Sequence, residues 1–189
     1  MTDKRGLFAY ELNLIKSPQI RHFAQKAIEL IPDYFFTIPA SSTGKHHPSY
    51  ALGEGGLLRH TKAAVRIADA LFRNDTVTGK FDRDSKDVML AALILHDGLK
   101  SGLLKETYTV ENHAALMAAH LKNTMTSERY DSILDRVCPL IASHMGQWNK
   151  SREGVEHSPL PRTAEERFVH MCDYLASRKI IEVNFEVEG

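Results

Sequence analysis

Residues 89–97 read Met-Leu-Ala-Ala-Leu-Ile-Leu-His-Asp, seven apolar residues followed by an imidazole and a carboxylate. A helix that is apolar nearly all round is typical of a protein interior, so this run predicts a buried helix. Gly98 breaks the pattern directly afterwards. His96 and Asp97 are therefore expected at the inner end of a buried helix, where titratable side chains need partners within the protein.

The rest of the chain shows helical spacing of apolar residues almost throughout, which predicts an all-α fold. Ser17 and Pro18 are expected to start a helix that Pro32 ends, and Asp84 or Ser85 to cap the helix that reaches Leu95. The predicted helices cover residues 19–31, 57–72, 85–95, 112–121, 127–143 (with a kink at Pro139) and 163–179 (with a capping box from Thr163 to Glu166). Residues 37–56 and 145–162 are predicted to be long loops, 96–110 to be irregular, and 180–187 to be a short strand or a frayed extension.

The composition is that of an ordinary globular chain of 189 residues, with 43% hydrophobic and 25% charged residues. No apolar run reaches the roughly 18 residues of a membrane helix, and we find no secretory signal. Two cysteines do not make a disulfide framework, so we expect a cytoplasmic protein. Because the chain has no internal repeat, low-complexity tract or linker, we expect a single domain over residues 1–189, and we expect no membrane partner. Lys plus Arg and Asp plus Glu number 24 each, which argues against broad nonspecific binding of nucleic acid but leaves a local basic patch open.

Several titratable side chains fall on or beside the apolar faces of different predicted helices. They are His60, His96, Asp97, His113, His144 and Asp173. Each unpaired buried polar group costs about 1–3 kcal/mol, so these groups must satisfy one another or share a cation. A lone inward histidine is more often a hydrogen-bonded core residue, and Asp173 alone could pair with an arginine. We assign His22, His120 and His157 to surface or packing roles, and His170 to a supporting contact one turn before Asp173.

Three segments resemble the HD superfamily of metal-dependent phosphohydrolases, over about residues 46–179. They are Gly-Gly-Leu-Leu-Arg-His-Thr at 55–61, Ala-Ala-Leu-Ile-Leu-His-Asp-Gly-Leu-Lys at 91–100 and Cys-Asp-Tyr-Leu-Ala-Ser-Arg at 172–178. The family signature has glycine immediately before the lysine, where this chain has Leu99. The spacing of His96, Asp97 and Lys100 is retained, so the departure affects the turn and not the ligands.

The resemblance implies an HD-type helical bundle in which His60, His96, Asp97 and Asp173 bind one metal ion. His113 and His144 stand where members with two metals carry further ligands, so we expect a dinuclear centre with Asp97 as the bridge. Imidazole and carboxylate ligands suit Mn, Fe, Ni, Co or Zn. Two such ions about 3.5–4 Å apart would clamp a phosphoryl group and activate water, and activity should fall in acid because the histidines must be neutral. Lys100 would contact a substrate phosphate; the alternative is a solvated lysine.

The expected substrate is a nucleotide or a related small phosphoester. Residues 45–50 and 55–58 are similar to the HD segment of bacterial 3′–5′ exoribonucleases, but those proteins carry an additional nucleic-acid-binding domain. The alternatives are therefore a 3′–5′ exonuclease on short single-stranded nucleic acid and a non-catalytic nucleotide or metal sensor. Substrate contacts are predicted from His47, Tyr50, Trp148 and Arg178. Aromatic packing is the alternative for Tyr50 and Trp148, and a surface role is the alternative for His46, His47, Arg152, Arg162, Arg178 and Lys179.

Overall fold

The chain folds into helices joined by turns and loops, in a computed structural model that describes residues 3–41, 44, 47–151 and 153–180. Within these ranges the α-helices are α1 (Ala9–Leu14), α2 (Pro18–Glu29), α3 (Gly56–Phe72), α4 (Asp75–Thr78), α5 (Arg83–Leu95), α6 (His113–Met125), α7 (Asp131–Ser143) and α8 (Ala164–Ala176). The same residues form no strand, only one isolated antiparallel bridge between Lys150 and Glu156. The all-α prediction is confirmed. None of the described helices combines the length and the apolarity needed to cross a bilayer.

Helix α5 lies at the centre of the bundle. Every residue from Asp87 to Leu95 is buried, and the helix packs against α1, α2, α3, α7 and α8. Its apolar residues therefore find hydrophobic neighbours on all sides, as the sequence predicts. The two residues that follow it, His96 and Asp97, are consequently buried as well.

Four other helices bring polar side chains to the carboxyl end of α5. Helix α3 carries His60 and packs along α8, which carries Asp173. Helix α6 begins at His113 and packs along α7, which ends just before His144. The helices thus place these side chains against the same helix end.

The amino end of α5 is tied to the start of α2 by a buried carboxylate. Asp87 accepts hydrogen bonds from the backbone N–H of Lys16, at 3.0 Å, and of Ser17, at 2.6 Å. The Ser17 hydroxyl in turn accepts from the N–H of Ile20 inside α2, at 3.4 Å. The predicted start of α2 at Ser17-Pro18 is confirmed, but the contribution of Asp87 from 70 residues away was not foreseen.

Several predicted helix ends differ from those observed. Asp82, and not Asp84 or Ser85, caps α5, because its extended backbone lets the carboxylate accept from the Ser85 N–H at 2.7 Å. Helix α7 begins at Asp131 and not Ser127, since the Asp131 carboxylate accepts from the Ser127 N–H at 2.9 Å and closes a turn there. Helix α6 continues to Met125, one turn beyond the predicted end.

At the end of the described chain, α8 stops at Ala176 rather than near residue 179. The Ser177 N–H points back at carbonyls of the last turn, which closes the helix, whereas its start at Thr163 has the predicted capping box with Glu166. Helix α7 runs through Pro139 to Ser143. The predicted strand or extension over 180–187 lies almost wholly outside the described residues.

The amino-terminal segment contributes more to the core than its sequence pattern indicates. Helix α1 and the short 3-10 helices Gly6–Phe8 and Asp33–Phe36 were not predicted. Phe8 and Phe35 are fully buried with ring centroids 6.3 Å apart, and they belong to the same hydrophobic core as α5. These elements are only three to six residues long, too short for helical periodicity to reveal them.

Candidate metal centre

Three histidines are held in the same way, each by a carbonyl of its own preceding turn. The ring Nδ1 atom lies 2.7 Å from the backbone oxygen three residues earlier in each case: His96 on Leu93, His113 on Val110 and His144 on Ile141. A carbonyl oxygen only accepts, so Nδ1 carries a proton in each ring, and in the neutral ring Nε2 is left with a lone pair. All three side chains are buried. Their orientation is the one that a metal-binding imidazole requires.

The first group of ligand atoms comes from α3, α5 and α8. His60 Nε2 lies 2.9 Å from Asp173 Oδ1 and 3.7 Å from Asp97 Oδ2. His96 Nε2 lies 3.3 Å from the same Asp173 oxygen and 3.5 Å from the same Asp97 oxygen. Two imidazoles and two carboxylates thus surround one point, which suits a divalent transition metal.

The second group shares Asp97 with the first. Asp97 Oδ1 lies 3.1 Å from His113 Nε2 and 3.6 Å from His144 Nε2, whereas its other oxygen faces His60 and His96. One carboxylate thus presents one oxygen to each group. Asp97 therefore belongs to two of the groups that could hold a metal ion.

The donor atoms of this cluster are poorly satisfied by the protein alone. His96 Nε2, His113 Nε2 and Asp97 Oδ1 are buried and have no hydrogen-bond partner among the residues that the structure describes. Overlapping groups of three residues have ligand atoms within 4.8 Å of one another. Buried polar groups without partners are costly, and a cation would satisfy these atoms together. The donor set therefore fits one or two divalent metal ions.

Electrostatics keep the acidic ligands ionised. Burial by itself raises the pKa of Asp97, but Lys100 and His96 outweigh it and hold that pKa well below its usual range. Burial likewise opposes ionisation of Asp173, but His96 and His60 hold its pKa well below the usual range. Burial lowers the pKa of His144, which favours the neutral imidazole that a metal requires.

Lys100 faces the same carboxylate from the turn after α5. Its Nζ donates to Asp97 Oδ2 at 2.5 Å, and its side chain is 15% exposed to solvent. Leu99, which replaces the family's glycine, is fully buried in the core. The glycine of this turn is Gly98, one position earlier. It packs closely against Met117, because a Cβ at Gly98 would lie 3.0 Å from the Met117 sulfur. The altered turn thus leaves Lys100 beside Asp97.

His47 and Tyr50 lie beside the first group, in a segment that contains the 3-10 helix Ser49–Ala51. The His47 ring stands 5.4 Å from the ring of His60, and burial, His60 and Lys100 lower its pKa to about 4. His47 is therefore neutral at physiological pH and can offer a hydrogen bond but not a positive charge. The partly buried Tyr50 donates from its hydroxyl to the Ala176 carbonyl at 2.9 Å and packs against the core, and its contact with substrate stays a prediction.

Trp148 and Arg178 meet at the exposed side of α8. Trp148 stacks on Tyr174 with ring centroids 5.4 Å apart and an angle of 11° between the planes, and the Arg178 guanidinium lies 4.5 Å from the Tyr174 centroid. His170 Nδ1 donates to the His144 carbonyl at 2.6 Å, as expected of a supporting contact. Sequence reasoning missed Tyr174, although its position directly after Asp173 and four residues after His170 could have indicated it.

The remaining predicted residues do not belong to the groups that could hold a metal, or they lie outside the described residues. His22 shares a hydrogen bond with the Tyr130 hydroxyl at 2.7 Å, and His157 lies 3.0 Å from a Glu111 carboxylate oxygen. His46 and Arg152 are outside the described residues. A cavity of about 210 Å³ adjoins Lys100 and is bordered by residues 38–40 and 105–109.

A comparison with protein families agrees with this geometry. The model of the HD domain family matches residues 54–178, a span that contains all six of the converging ligands and Lys100. No curated protein and no solved structure was found to match the chain. On the strength of the family match, which covers about two thirds of its length, the chain belongs to the HD domain family.

Proposed function

We propose that this protein is a metal-dependent phosphohydrolase that cleaves a phosphoester of a nucleotide or a related small phosphorylated substrate. Members of the HD domain family are generally metal-dependent hydrolases, and this chain has His and Asp groups that could hold a metal. The observation that carries the proposal is Asp97, whose two oxygens face two separate pairs of imidazoles. Such a carboxylate suits the hydrolysis of a phosphoester between two cations.

The residues of the cluster and Lys100 would have different roles in the reaction. His60, His96, Asp97 and Asp173 would hold one ion, and Asp97, His113 and His144 the other. When bound, the two ions supply Lewis acidity that polarises a phosphoryl oxygen and activates water for in-line attack. Lys100, with its 15% exposure, would place a positive charge beside the phosphoryl oxygens where negative charge develops. Water adds to phosphorus, the ester P–O bond breaks, and the leaving alcohol takes up a proton.

The test combines metal analysis with an assay of phosphate release. Purified protein is analysed for bound metal, and nucleotides, small phosphomonoesters and phosphodiesters are then screened with Mn²⁺ added. We expect metal-dependent hydrolysis that falls to background in Asp97→Asn, which keeps the size of the side chain but removes its charge. His120→Ala serves as a control, because His120 lies on α6 with His113 but outside the cluster. Full activity in Asp97→Asn would overturn the proposal.

The two alternatives give different results in the same screen. A 3′–5′ exonuclease would shorten oligonucleotides and ignore mononucleotides, and its binding would weaken steeply with salt. A sensor would bind metal or nucleotide stoichiometrically without releasing product. The balance of 24 basic and 24 acidic residues favours a small substrate over a long nucleic acid.

A further inference from the structure

The exposure of the ligands indicates where a substrate would enter. The four histidines of the cluster and Asp97 are 0–1% exposed, whereas the side chain of Asp173 is 18% exposed and that of Lys100 is 15% exposed. The centre therefore meets solvent at Asp173 and Lys100.

A stacked aromatic pair includes the residue that follows Asp173 in the chain. Tyr174 follows Asp173 in the chain, and its ring stacks on Trp148. Trp148 is 45% exposed and Tyr174 is 36% exposed. Aromatic rings of this size are normally more deeply buried, so this exposed ring surface is available to a flat aromatic ligand.

The pair is fixed in place relative to the ligands. Gly146 has a φ of 57°, and a Cβ at this position would lie 2.2 Å from the ring of His170, so glycine lets the chain pass close to that ring. The same ring bonds the carbonyl of His144 and lies 6.0 Å from the ring of Trp148. Trp148 is thus held four residues after one metal ligand and against the helix that carries another. A surface fixed in this way binds with little loss of side-chain freedom.

A cation adjoins the pair. The Arg178 guanidinium lies 4.5 Å from the Tyr174 centroid and 5.9 Å from that of Trp148. Its hydrogen bonds go to the hydroxyl of the neighbouring Ser177. Among the residues that the structure describes, no carboxylate pairs with it. An arginine on an aromatic surface without an acidic partner is suited to an anionic ligand that also carries a π-system.

We propose that Trp148, Tyr174 and Arg178 form a nucleobase subsite, which restricts the phosphohydrolase to nucleotide substrates. The base stacks on the exposed face of Trp148, Arg178 attracts the anionic nucleotide, and the scissile phosphate reaches the metal centre at Asp173 and Lys100. Stacking is common to all bases, so the subsite selects for the presence of a base rather than for one base. This inference rests on the proposed function for its reaction, but the binding that it describes can be measured without turnover.

Trp148 is the only tryptophan of the chain, so its fluorescence reports on the subsite alone. Chelator-treated and metal-loaded wild-type protein are each titrated with adenosine 5′-monophosphate and with ribose 5-phosphate, with excitation at the tryptophan band. We expect saturable quenching by the nucleotide and none by the sugar phosphate, which lacks the base. Absence of quenching by any nucleotide in both forms of the protein would overturn the proposal.

Substitutions then distinguish the contribution of stacking to nucleotide binding from the contribution of the Arg178 charge. Trp148→Ala should weaken nucleotide binding about tenfold, measured by calorimetry, and should raise KM with kcat retained, because Trp148 does not touch the reacting atoms. Binding of ribose 5-phosphate should be unaffected by this change. Trp148→Phe should restore most of the affinity, and Arg178→Ala should weaken binding of the nucleotide but not of the uncharged nucleoside.

The outcomes distinguish this inference from the proposed function. Saturable quenching without hydrolysis of any phosphoester would support the subsite and contradict the proposed function. Nucleotide hydrolysis with the same KM in Trp148→Ala would support the proposed function and overturn the subsite. A KM raised by Tyr108→Ala and unchanged by Trp148→Ala would place the base in the cavity beside Lys100 and would also overturn it.

Discussion

His113 Nε2 lies 3.1 Å from Asp97 Oδ1, although the proton of the His113 ring is already committed to the Val110 carbonyl through Nδ1. In the neutral ring, an imidazole lone pair and a carboxylate lone pair therefore face each other in a buried site. Two acceptors at this distance repel each other unless a positive charge joins them. The relationship explains why the cluster is suited to a cation rather than to an internal hydrogen-bond network.

Removal of metal should destabilise the protein. An ion bound by the folded cluster adds its binding free energy to that of folding, because the unfolded chain does not assemble these side chains. At a free-metal concentration a hundredfold above Kd, the stabilisation is about 2.7 kcal/mol, or a rise in Tm of about 5–10 °C. Thermal unfolding with and without a chelator, followed by addition of Mn²⁺, measures it. A Tm that is indifferent to both additions would contradict a metal centre of this kind.

A substitution in one group of ligands should remove the metal ion of that group and leave the other ion bound. His113→Ala removes a ligand of the second group only, and we expect the metal content to fall from two ions per chain to one. His60→Ala should affect the first group in the same way. Metal analysis of the purified variants measures the stoichiometry, with His120→Ala retaining the wild-type content. Loss of metal in the His120 variant would mean that the analysis reports folding and not ligation.

Lys100 should act on catalysis without holding metal. Lys100→Met keeps much of the side-chain length but removes the charge, so we expect kcat to fall about 10²–10³-fold with the metal content unchanged. Steady-state kinetics on the best substrate of the screen, together with metal analysis, provide the measurement. Lys122→Met, on the exposed surface of α6, is the matched control. Unchanged kinetics in Lys100→Met would assign this lysine to the solvated surface.

The link between α5 and α2 should be important for stability and not for the site. Asp87→Ala leaves the N–H groups of Lys16 and Ser17 without their acceptor, and we expect a loss of about 1–3 kcal/mol in the free energy of unfolding. Chemical denaturation measures the loss. The exposed Asp84 on the same helix gives the control, since Asp84→Ala should change stability by less than about 0.5 kcal/mol. Equal effects of the two substitutions would show that the Asp87 hydrogen bonds contribute little.

The sequence predicts most of the centre because helical periodicity places each polar residue on a face. His60 repeats with the apolar positions of α3, and His96 and Asp97 end a helix that is apolar throughout, so convergence follows from packing these faces together. The choice of ring nitrogen does not follow from periodicity, because it depends on the carbonyl one turn earlier, as for His144 on Ile141. Sequence spacing alone leaves this tautomer undetermined.

Hydrophobic periodicity does not reveal contacts between segments that are distant in the sequence. The stacking of Trp148 on Tyr174 joins the loop after α7 to the outer face of α8. This contact depends on the left-handed backbone of Gly146. A single glycine in a loop does not indicate such a conformation from the sequence. Asp87 bonding the start of α2 is a second such contact, since nothing in the local sequence pairs the two segments. Both are tertiary relationships, fixed only once the helices have packed.

The most direct test of the dinuclear centre is a crystal structure of the protein grown with Mn²⁺ and measured with anomalous scattering at the manganese edge. We expect two anomalous peaks about 3.5–4 Å apart, one beside each oxygen of Asp97, with His60, His96 and Asp173 around one peak and His113 and His144 around the other. A structure with no peak in contact with Asp97, at metal concentrations that support any phosphate release, would contradict it.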